Sequence, residues 1–142
     1  MKTIKQLLKT KSSQIFSVPA STSVLDALHV MMEKNISALL IMESGQLLGI
    51  FTERDYARKI ILQGKSSADT FLAEVMTGQP ITISPDDHIE VCMEIMTNKH
   101  IRHLPVVNET GVIGMVSIGD VVKFIIEDQK LTISQLESYI SS

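Results

Sequence analysis

Two copies of one short motif hold the residues of this sequence that could do chemistry. The motif is a glycine, two apolar residues, a threonine or serine, and an aspartate three positions later; it stands as GIFTERD at 49–55 and as GMVSIGD at 114–120. Each copy places a hydroxyl and a carboxylate where an apolar strand runs directly into a helix. Free backbone N–H groups in the first turn of such a helix attract anions, so each copy is a candidate anion site.

The same residues also fit a purely structural role. A serine or threonine followed three residues later by an acidic residue is nearly a capping box, in which both side chains bond the backbone at the helix start. Two observations favour binding: the motif occurs twice at equivalent positions, and both copies use Asp where a capping box prefers Glu or Gln. The glycine leaves space that either a ligand or another stretch of backbone could fill. Both interpretations remain open at this point.

The elements that must position these motifs form a tandem repeat. A shift of 65 residues aligns 36–55 with 101–120 without a gap, and apolar positions coincide almost throughout. Each repeat predicts the element order β-α-β-β-α, with the motif at the same strand-to-helix corner. The predicted segments are strands over 15–18 and 81–83, helices capped by the clusters STS and DDH, hairpins over 38–42 with 47–51 and over 104–107 with 112–116, and second helices from Thr52 and Ser117.

Further segments connect and extend the repeats. The linker QGKSSADT contains Gly64, a plausible helix stop, and the segments TIKQLLK and FLAEVMT predict short lead-in helices. An apolar stripe at helical spacing, Ile133, Leu136 and Ile140, predicts a further helix. The fold class is therefore α+β, with two repeats related by a pseudo-twofold axis and a C-terminal helix. The predicted divisions are 1–64 and 65–128, each a repeat with its lead-in helix, and 129–142.

Composition excludes several classes of partner. A net charge of −3 provides no basic field for nucleic acid or anionic lipid, and 4% aromatic residues provide no stacking platform for single strands. No apolar run approaches the ~18 residues of a membrane span, and none fits a signal peptide. We therefore expect a cytoplasmic protein without nucleic-acid or membrane partners. The single Cys92 lies among apolar residues at helical spacing, which predicts a buried thiol.

Neither catalysis nor metal binding is indicated. The sequence has no Ser/Cys-His-Asp set, no Walker lysine after either motif glycine and no paired-carboxylate motif for hydrolysis. His100 and His103 stand three residues apart, but on a helix end and an incoming strand, and no Cys or carboxylate completes a ligand set. We therefore expect no enzymatic activity and no metal.

The chain resembles a pair of CBS domains, the module named after the regulatory region of cystathionine β-synthase. The resemblance rests on the two motif copies, on IRHLPVV at 101–107 and on LAEVMT before the second repeat, and it covers residues 7–127. It implies a module that binds an adenosine ligand, in which the motif Asp holds the ribose hydroxyls and the Thr or Ser meets the α-phosphate. A carboxylate suits a ribose because it can accept hydrogen bonds from both vicinal hydroxyls.

Transferred by position, the resemblance implies two sites that are not equivalent. Each arginine assigned to the phosphate tail has an uncharged counterpart in the other repeat. The implied ligand-binding residues are Asp55 and Asp120 for the ribose, Thr52 and Ser117 for the α-phosphate, Phe16 and Ala38 for the adenine ring in the first repeat, Ile81 and His103 for the ring in the second, and Arg54 and Arg102 for the phosphate tail, with Gly119 and Ser37 as their counterparts.

The implied function is that of a regulatory or sensor module. The expected ligand is AMP, with ADP, ATP, NADH and S-adenosylmethionine as alternatives, and no cofactor is required. The ligand would change conformation or assembly and so act on an unidentified regulated protein. Apolar residues that widen the helix stripes, among them Leu25, Met32, Val91 and Ile95, predict a homodimer formed by helices of both repeats. The alternative is a structural dimerisation or interaction module without a ligand.

Overall fold

The computed structural model of the protein describes residues 2–11 and 14–141. Met1, Ser12 and Ser13 of the predicted division 1–64, and Ser142 of the division 129–142, lie outside the described residues. The helices of the described part are α1 (Ile4–Leu8), α2 (Val24–Lys34), α3 (Glu53–Asp55), α4 (Leu72–Val75), α5 (Ile89–Lys99) and α6 (Ile118–Ser141), and its strands are β1 (Ser17–Val18), β2 (Ala38–Glu43), β3 (Gln46–Thr52), β4 (Thr77–Gly78), β5 (His103–Asn108) and β6 (Gly111–Ser117). The predicted α+β class and both lead-in helices are confirmed.

The first repeat forms a mixed sheet in the order β1-β2-β3-β4. Strand β1 runs parallel to β2, and β2 and β3 form the predicted antiparallel hairpin. Ser44 and Gly45 make its turn with φ angles of 51° and 77°, a conformation that suits glycine and the short polar residues of turns. The register pairs Ala38 with Thr52, so the first motif begins its helix where the hairpin ends.

The second repeat forms the matching hairpin, in which β5 and β6 pair from His103 with Ser117 to Asn108 with Gly111. The strand predicted over 81–83 is wrong in extent, because only Ile83 makes a bridge, parallel to Val106. The chain leaves the sheet directly afterwards, since Ser84 and Asp87 bond to each other and Pro85 has no N–H to donate.

Helices α2 and α5, the equivalent long helices of the two repeats, begin differently. The Ser23 hydroxyl accepts a hydrogen bond from the first turn of α2, which confirms the predicted cap in STS. The predicted cap in DDH is wrong, since His88 stands at the helix boundary without a side-chain cap bond. The Ile89 N–H instead donates to the Lys2 carbonyl at 3.0 Å, so backbone that precedes α1 satisfies it.

The lead-in helices are exchanged between the repeats. Ile4 and Leu7 of α1 are buried in the core of the second repeat, and Leu72 and Val75 of α4 are buried in the core of the first. Backbone hydrogen bonds fix both, for example from Ile4 N–H to the Asp87 carbonyl at 2.9 Å. Each lead-in helix therefore packs against the repeat that it does not precede in sequence, and each core draws on residues from both predicted divisions.

Three apolar clusters form the core of the described part of the chain. The first repeat buries Val24, Ala27, Met31, Leu39, Ile41, Phe51, Ile60, Leu72 and Val75, and the second buries Ile4, Leu7, Ile83, Ile89, Cys92, Met96, Leu104, Val106, Val116 and Val121. A third cluster joins the two hairpins and contains Ala38, Leu40 and Ile50, with Val112 and Met115 packed against it. Burial raises the pKa of the Cys92 thiol to about 11, so the predicted buried thiol is confirmed.

The second helices of the repeats differ in length and form. After α3 the chain continues as a π-helical segment, Tyr56–Ile61, which ends before Gly64 with its φ of 66°. The predicted further helix over 129–142 is a continuation of α6 rather than a separate element, since no glycine or proline interrupts the sequence after Asp120. Among the described residues, no helix combines the length and the apolar character that a membrane span requires.

Candidate functional site

The first motif forms a capping box at the start of α3. Thr52 N–H donates to Asp55 Oδ2 at 3.0 Å, and Asp55 N–H donates to Thr52 Oγ1 at 3.1 Å. Glu53 N–H donates to the Ser37 carbonyl at 3.1 Å. We expected free N–H groups in the first turn, and this is wrong at this corner. The N–H groups of Thr52, Glu53 and Asp55 already donate to oxygen atoms of the chain itself.

The remaining carboxylate oxygen of Asp55 faces the segment that follows α4. Its Oδ1 lies 3.2 Å from Lys59 Nζ and accepts from Thr77 Oγ1 at 3.4 Å. Lys59 Nζ also donates to the Val75 carbonyl at 2.9 Å. Sequence reasoning missed both partners, although Lys59 stands four residues after Asp55, the spacing at which helical side chains meet.

The second motif forms the same capping box at the start of α6. Ser117 N–H donates to Asp120 Oδ2 at 2.9 Å, and Asp120 N–H donates to Ser117 Oγ at 3.1 Å. The same Oδ2 also accepts from Lys11 Nζ at 2.7 Å, and Lys11 Nζ donates in addition to the Met115 carbonyl at 2.8 Å. The ribose ligand implied for the second repeat is thus paired with a lysine from the segment after α1.

Lys11 sets the ionisation of Asp120. Burial by itself raises the pKa of this carboxyl, but the hydrogen bond from Lys11 and the one from the Ser117 backbone outweigh it, so that the pKa lies below its ordinary value. A carboxyl with a lowered folded-state pKa contributes stability above its unfolded-state pKa, and this contribution is lost as the pH falls through the folded-state pKa. The Lys11–Asp120 pair therefore weakens in acid.

We predict that Lys11→Met raises the pKa of Asp120, because it removes the strongest partner of the carboxylate and leaves its burial in place. The change is measured by following the Asp120 carboxyl carbon through an acid titration by NMR. Lys9→Met, which removes an exposed lysine two residues away in the same segment, is the matched control and leaves the titration unchanged. An unaltered Asp120 titration in Lys11→Met would contradict the assigned cause.

The first corner opens into a cleft of about 850 Å³ between the two repeats. Four cationic side chains and two carboxylates line this cleft. The Arg54 side chain extends across it, and its Nη1 donates to the His100 carbonyl at 2.8 Å. Its walls also offer apolar surface from Ile50 and Ile81. The cleft can therefore take a ligand with an apolar ring and an anionic group. The charged residues are Arg54, Arg58, Lys99 and Arg102, with Glu53 and Asp55.

The structure groups the predicted site residues differently from the sequence. We paired the first corner with Phe16 and Ala38 of its own repeat, but neither lines this cleft: Phe16 packs against the first core beside Lys34, and Ala38 is buried between the hairpins. Predicted residues that do line it are Ser37, Thr52, Arg54, Asp55, Ile81, Arg102 and His103. Ser117, Gly119 and Asp120 lie at the other corner. The cleft is composite, because the chain passes from one repeat to the other beside it.

Other cleft residues were missed by sequence reasoning. Arg58 and Lys99 belong to no motif, although each lies three residues in sequence from a selected residue, Asp55 and Arg102 respectively. Thr77 belongs to the LAEVMT segment, which was quoted only as a lead-in. The residues missed are Ile50, Glu53, Arg58, Thr77, Gln79, Pro80, Lys99, His100 and Ile101.

His103 connects the two corners. It lines the first cleft, where its Nε2 lies 3.0 Å from Ser37 Oγ. Burial lowers its pKa below the ordinary value; Asp120 opposes this shift, whereas Lys11 and Arg102 add to it. The ring is therefore neutral near pH 7 and can share one hydrogen with the serine hydroxyl. Within residues 2–11 and 14–141, no group of three His, Cys, Asp or Glu side chains could hold a metal ion.

Other parts of the protein approach both motif glycines closely, and backbone does so at Gly49. A Cβ on Gly49 would lie 2.8 Å from the Thr77 carbonyl and 2.7 Å from Met76 Sδ, and one on Gly114 would lie 3.0 Å from Leu8 Cδ2. Backbone and side chains of the two lead-in segments therefore fill the space that each glycine leaves. Of the two alternatives that the sequence left open, close approach by the chain is the one observed.

Comparison with known proteins explains the repeat. The family described as CBS domain matches residues 4–62 and, a second time, residues 72–127. The chain belongs to the CBS-domain family. Its two matches form a CBS pair, as the shift of the sequence against itself predicted. The two motif copies are thus the equivalent corners of two CBS domains, and the composite cleft lies between them.

Relatives with and without known structures agree with this assignment. The CBS domain-containing protein CBSX3, mitochondrial, of Arabidopsis thaliana is 42% identical over 123 residues, which cover 83% of the chain but only 60% of that relative's length. YhcV of Bacillus subtilis is 30% identical over 78% of the chain and 79% of its own. A putative signal-transduction protein with CBS domains from Burkholderia ambifaria superposes with a TM-score of 0.87 at 43% identity, over 90% of this chain and 96% of that one.

One similar CBS pair has been solved with ligands. The CBS domain pair of protein MJ0100, in complex with 5′-methylthioadenosine and S-adenosyl-L-methionine, superposes with a TM-score of 0.79 at 25% identity and covers 90% of this chain and 98% of that one. Both ligands of that protein contain adenosine. The fold of this chain is therefore one that accommodates adenosine ligands in a relative.

Proposed function

We propose that the protein is a regulatory module that binds an adenine nucleotide, with AMP as the first candidate. The observation that carries this proposal is the composite cleft of about 850 Å³, onto which the first motif opens together with three arginines and exposed apolar surface. A volume of this size fits a nucleotide, since small-molecule pockets measure roughly 300–1,000 Å³. The ligands of MJ0100 support an adenosine group.

Different side chains of the cleft would contact different parts of the ligand. Asp55 Oδ1 would accept from the ribose hydroxyls in place of the long 3.4 Å contact from Thr77, while Lys59 Nζ, 3.2 Å away, stays as its counter-ion. Arg54 and Arg102 would pair with the phosphate, and Ile81 offers an apolar face to the adenine ring. Because most N–H groups of the first turn are already bonded, the arginines rather than the helix start supply the attraction for phosphate.

The second corner is the weaker candidate. Both aspartates are paired with a lysine, but Lys11 Nζ lies 2.7 Å from Asp120 Oδ2, whereas Lys59 Nζ lies 3.2 Å from Asp55 Oδ1, so a ribose would have to compete with the stronger charge-assisted bond at the second corner. We therefore propose that the first cleft fills before any site that Ser117 and Asp120 form.

Regulation would follow from assembly. We propose a homodimer through helices α2 and α5, on which large apolar side chains are exposed, with the bound nucleotide favouring one arrangement of the two repeats. An unidentified regulated protein would respond to that arrangement, and we place the protein in the cytoplasm. The exposed residues are Leu25, Met32, Val91 and Met93. The prediction was wrong for Ile95, which packs against the second core instead.

A second candidate function is a structural interaction module. It is favoured by one observation, that both motifs form complete side-chain and backbone capping interactions without a ligand. In that case the two aspartates would serve only to start α3 and α6.

Thermal unfolding with and without nucleotide separates the two functions. We predict that AMP at 100 times its Kd raises the free energy of unfolding by about 2.7 kcal/mol, because a ligand that binds only the folded state stabilises it by mass action. The measurement is the shift in melting temperature, with ribose 5-phosphate at equal ionic strength as the control. No shift with AMP, ADP, ATP, NADH or S-adenosylmethionine would leave the structural module as the function.

A further inference from the structure

The second half of helix α6 projects from the two repeats. Val121 near its start is buried, and Phe124 and Ile125 pack against the second core. Every residue from 129 to 141 is exposed, and this part lies beyond the second CBS match, which ends at residue 127. The outer part of α6 is therefore an extension that the core of the pair does not cover.

The exposed side chains of α6 follow a heptad pattern. Ile126, Ile133 and Ile140 recur every seven residues, and Val122 and Leu136 fall four residues before the first and third of them. These are the a and d positions of a coiled coil, with Gln129 as the one polar member. All five apolar members are exposed. We call this stripe from Val122 to Ile140 the α6 seam.

A helix of this composition requires a partner. The segment from 129 to 141 contains Thr, Ile, Tyr and three serines, which are weak helix formers, and isolated helices of about 12–15 residues are marginal in water even with the best ones. Helices in proteins gain most of their stability from packing an apolar face. The seam is the face available for that packing.

We infer that the α6 seam pairs with the α6 seam of a second copy of this chain, in antiparallel orientation. Such a contact is isologous and closes on itself. It sets Val122 against Ile140 of the partner subunit, and Ile126 against Leu136 of the partner subunit. This surface is distinct from α2 and α5, so the inference does not depend on the proposed function.

Charge determines the orientation. Lys123 and Glu137 both occupy position e, and antiparallel pairing sets each beside the other across the contact, twice by symmetry. Lys130 then lies beside Lys130 of the partner subunit at the twofold axis. The pair therefore makes one contact between like charges and two contacts between opposite charges. In a parallel pair, position e faces position g, where Ile125 and Thr132 offer no charge. The antiparallel arrangement is therefore the complementary one.

Disulfide trapping of the full chain tests this pairing. The double variant Val122→Cys/Ile140→Cys should form a covalent dimer on mild oxidation, whereas each single variant should remain at the monomer mass of 15.7 kDa on a non-reducing gel. The two positions of one helix are about 27 Å apart at 1.5 Å per residue, so they cannot link within a chain. The native Cys92 is buried and does not compete.

Two further substitutions in the double variant provide a matched pair. Ile133→Glu on the seam should abolish the covalent dimer, and Leu131→Glu off the seam should leave its yield unchanged, although the two side chains are 55% and 56% exposed. Covalent dimers of either single variant would show a parallel pair and overturn the inference. So would a double variant that does not link, or equal loss with both glutamates. If the chain dimerises only through α2 and α5, the double variant forms no covalent dimer, and the proposed function still stands.

Discussion

Asp55→Ala weakens the binding of AMP by about 10- to 100-fold, because it removes charge-assisted hydrogen bonds to the ribose worth roughly 1.5–3 kcal/mol. The carboxylate also caps α3, so the free energy of unfolding falls by about a cap's contribution, ~1 kcal/mol. Isothermal titration calorimetry measures the affinity, and chemical denaturation measures the stability.

Asp120→Ala is the control for this prediction. It removes an equivalent capping carboxylate, with a similar cost in stability, but at the corner where Lys11 already holds the side chain. We expect the affinity of the first cleft to stay close to that of the parent. If Asp55→Ala also binds AMP like the parent, the assignment of the ribose to Asp55 is wrong.

Leu7→Ala destabilises the whole protein by about 2–5 kcal/mol, the usual cost of removing a fully buried leucine side chain from a core. Leu7 is 1% exposed and lies in the core of the second repeat, although it stands near the start of the first. Urea denaturation followed by far-ultraviolet circular dichroism measures the effect.

Leu62→Ala provides the comparison, because this leucine follows the π-helical segment of the first repeat and is 75% exposed. It should change the free energy of unfolding by less than about 0.5 kcal/mol, as is usual for surface positions. A Leu7→Ala variant no less stable than Leu62→Ala would mean that α1 does not contribute to the second core.

Periodicity was sufficient to predict most elements of the fold. Alternating and continuous apolar runs located both hairpins, and spacing at i, i+3, i+4 and i+7 located α2 and α5. The exchange of the lead-in helices could not be predicted, because an amphipathic pattern indicates that a face is buried but not against which core. The failed cap of α5 has the same origin, since its partner is the Lys2 carbonyl, far away in sequence.

The candidate site divides in the same way. The motif copies located both corners, because their hydrogen bonds join residues three apart and are visible in the sequence. Lys11 lies 109 residues from Asp120, and no local pattern connects them. The composite cleft likewise depends on how the two repeats pack, so its pairing of Asp55 with Ile81 and His103 required the structure.

The exchanged lead-in helices also constrain how the chain can fold during synthesis. Helix α1 leaves the ribosome well before strand β6, which is part of the core that buries Ile4 and ends only at Ser117. At translation rates of about 5–20 residues per second, several seconds pass between the synthesis of α1 and that of the second core against which it packs. The apolar side of α1 is exposed to chaperones during that interval, whereas the buried residues of the first core are all present once α4 has been made.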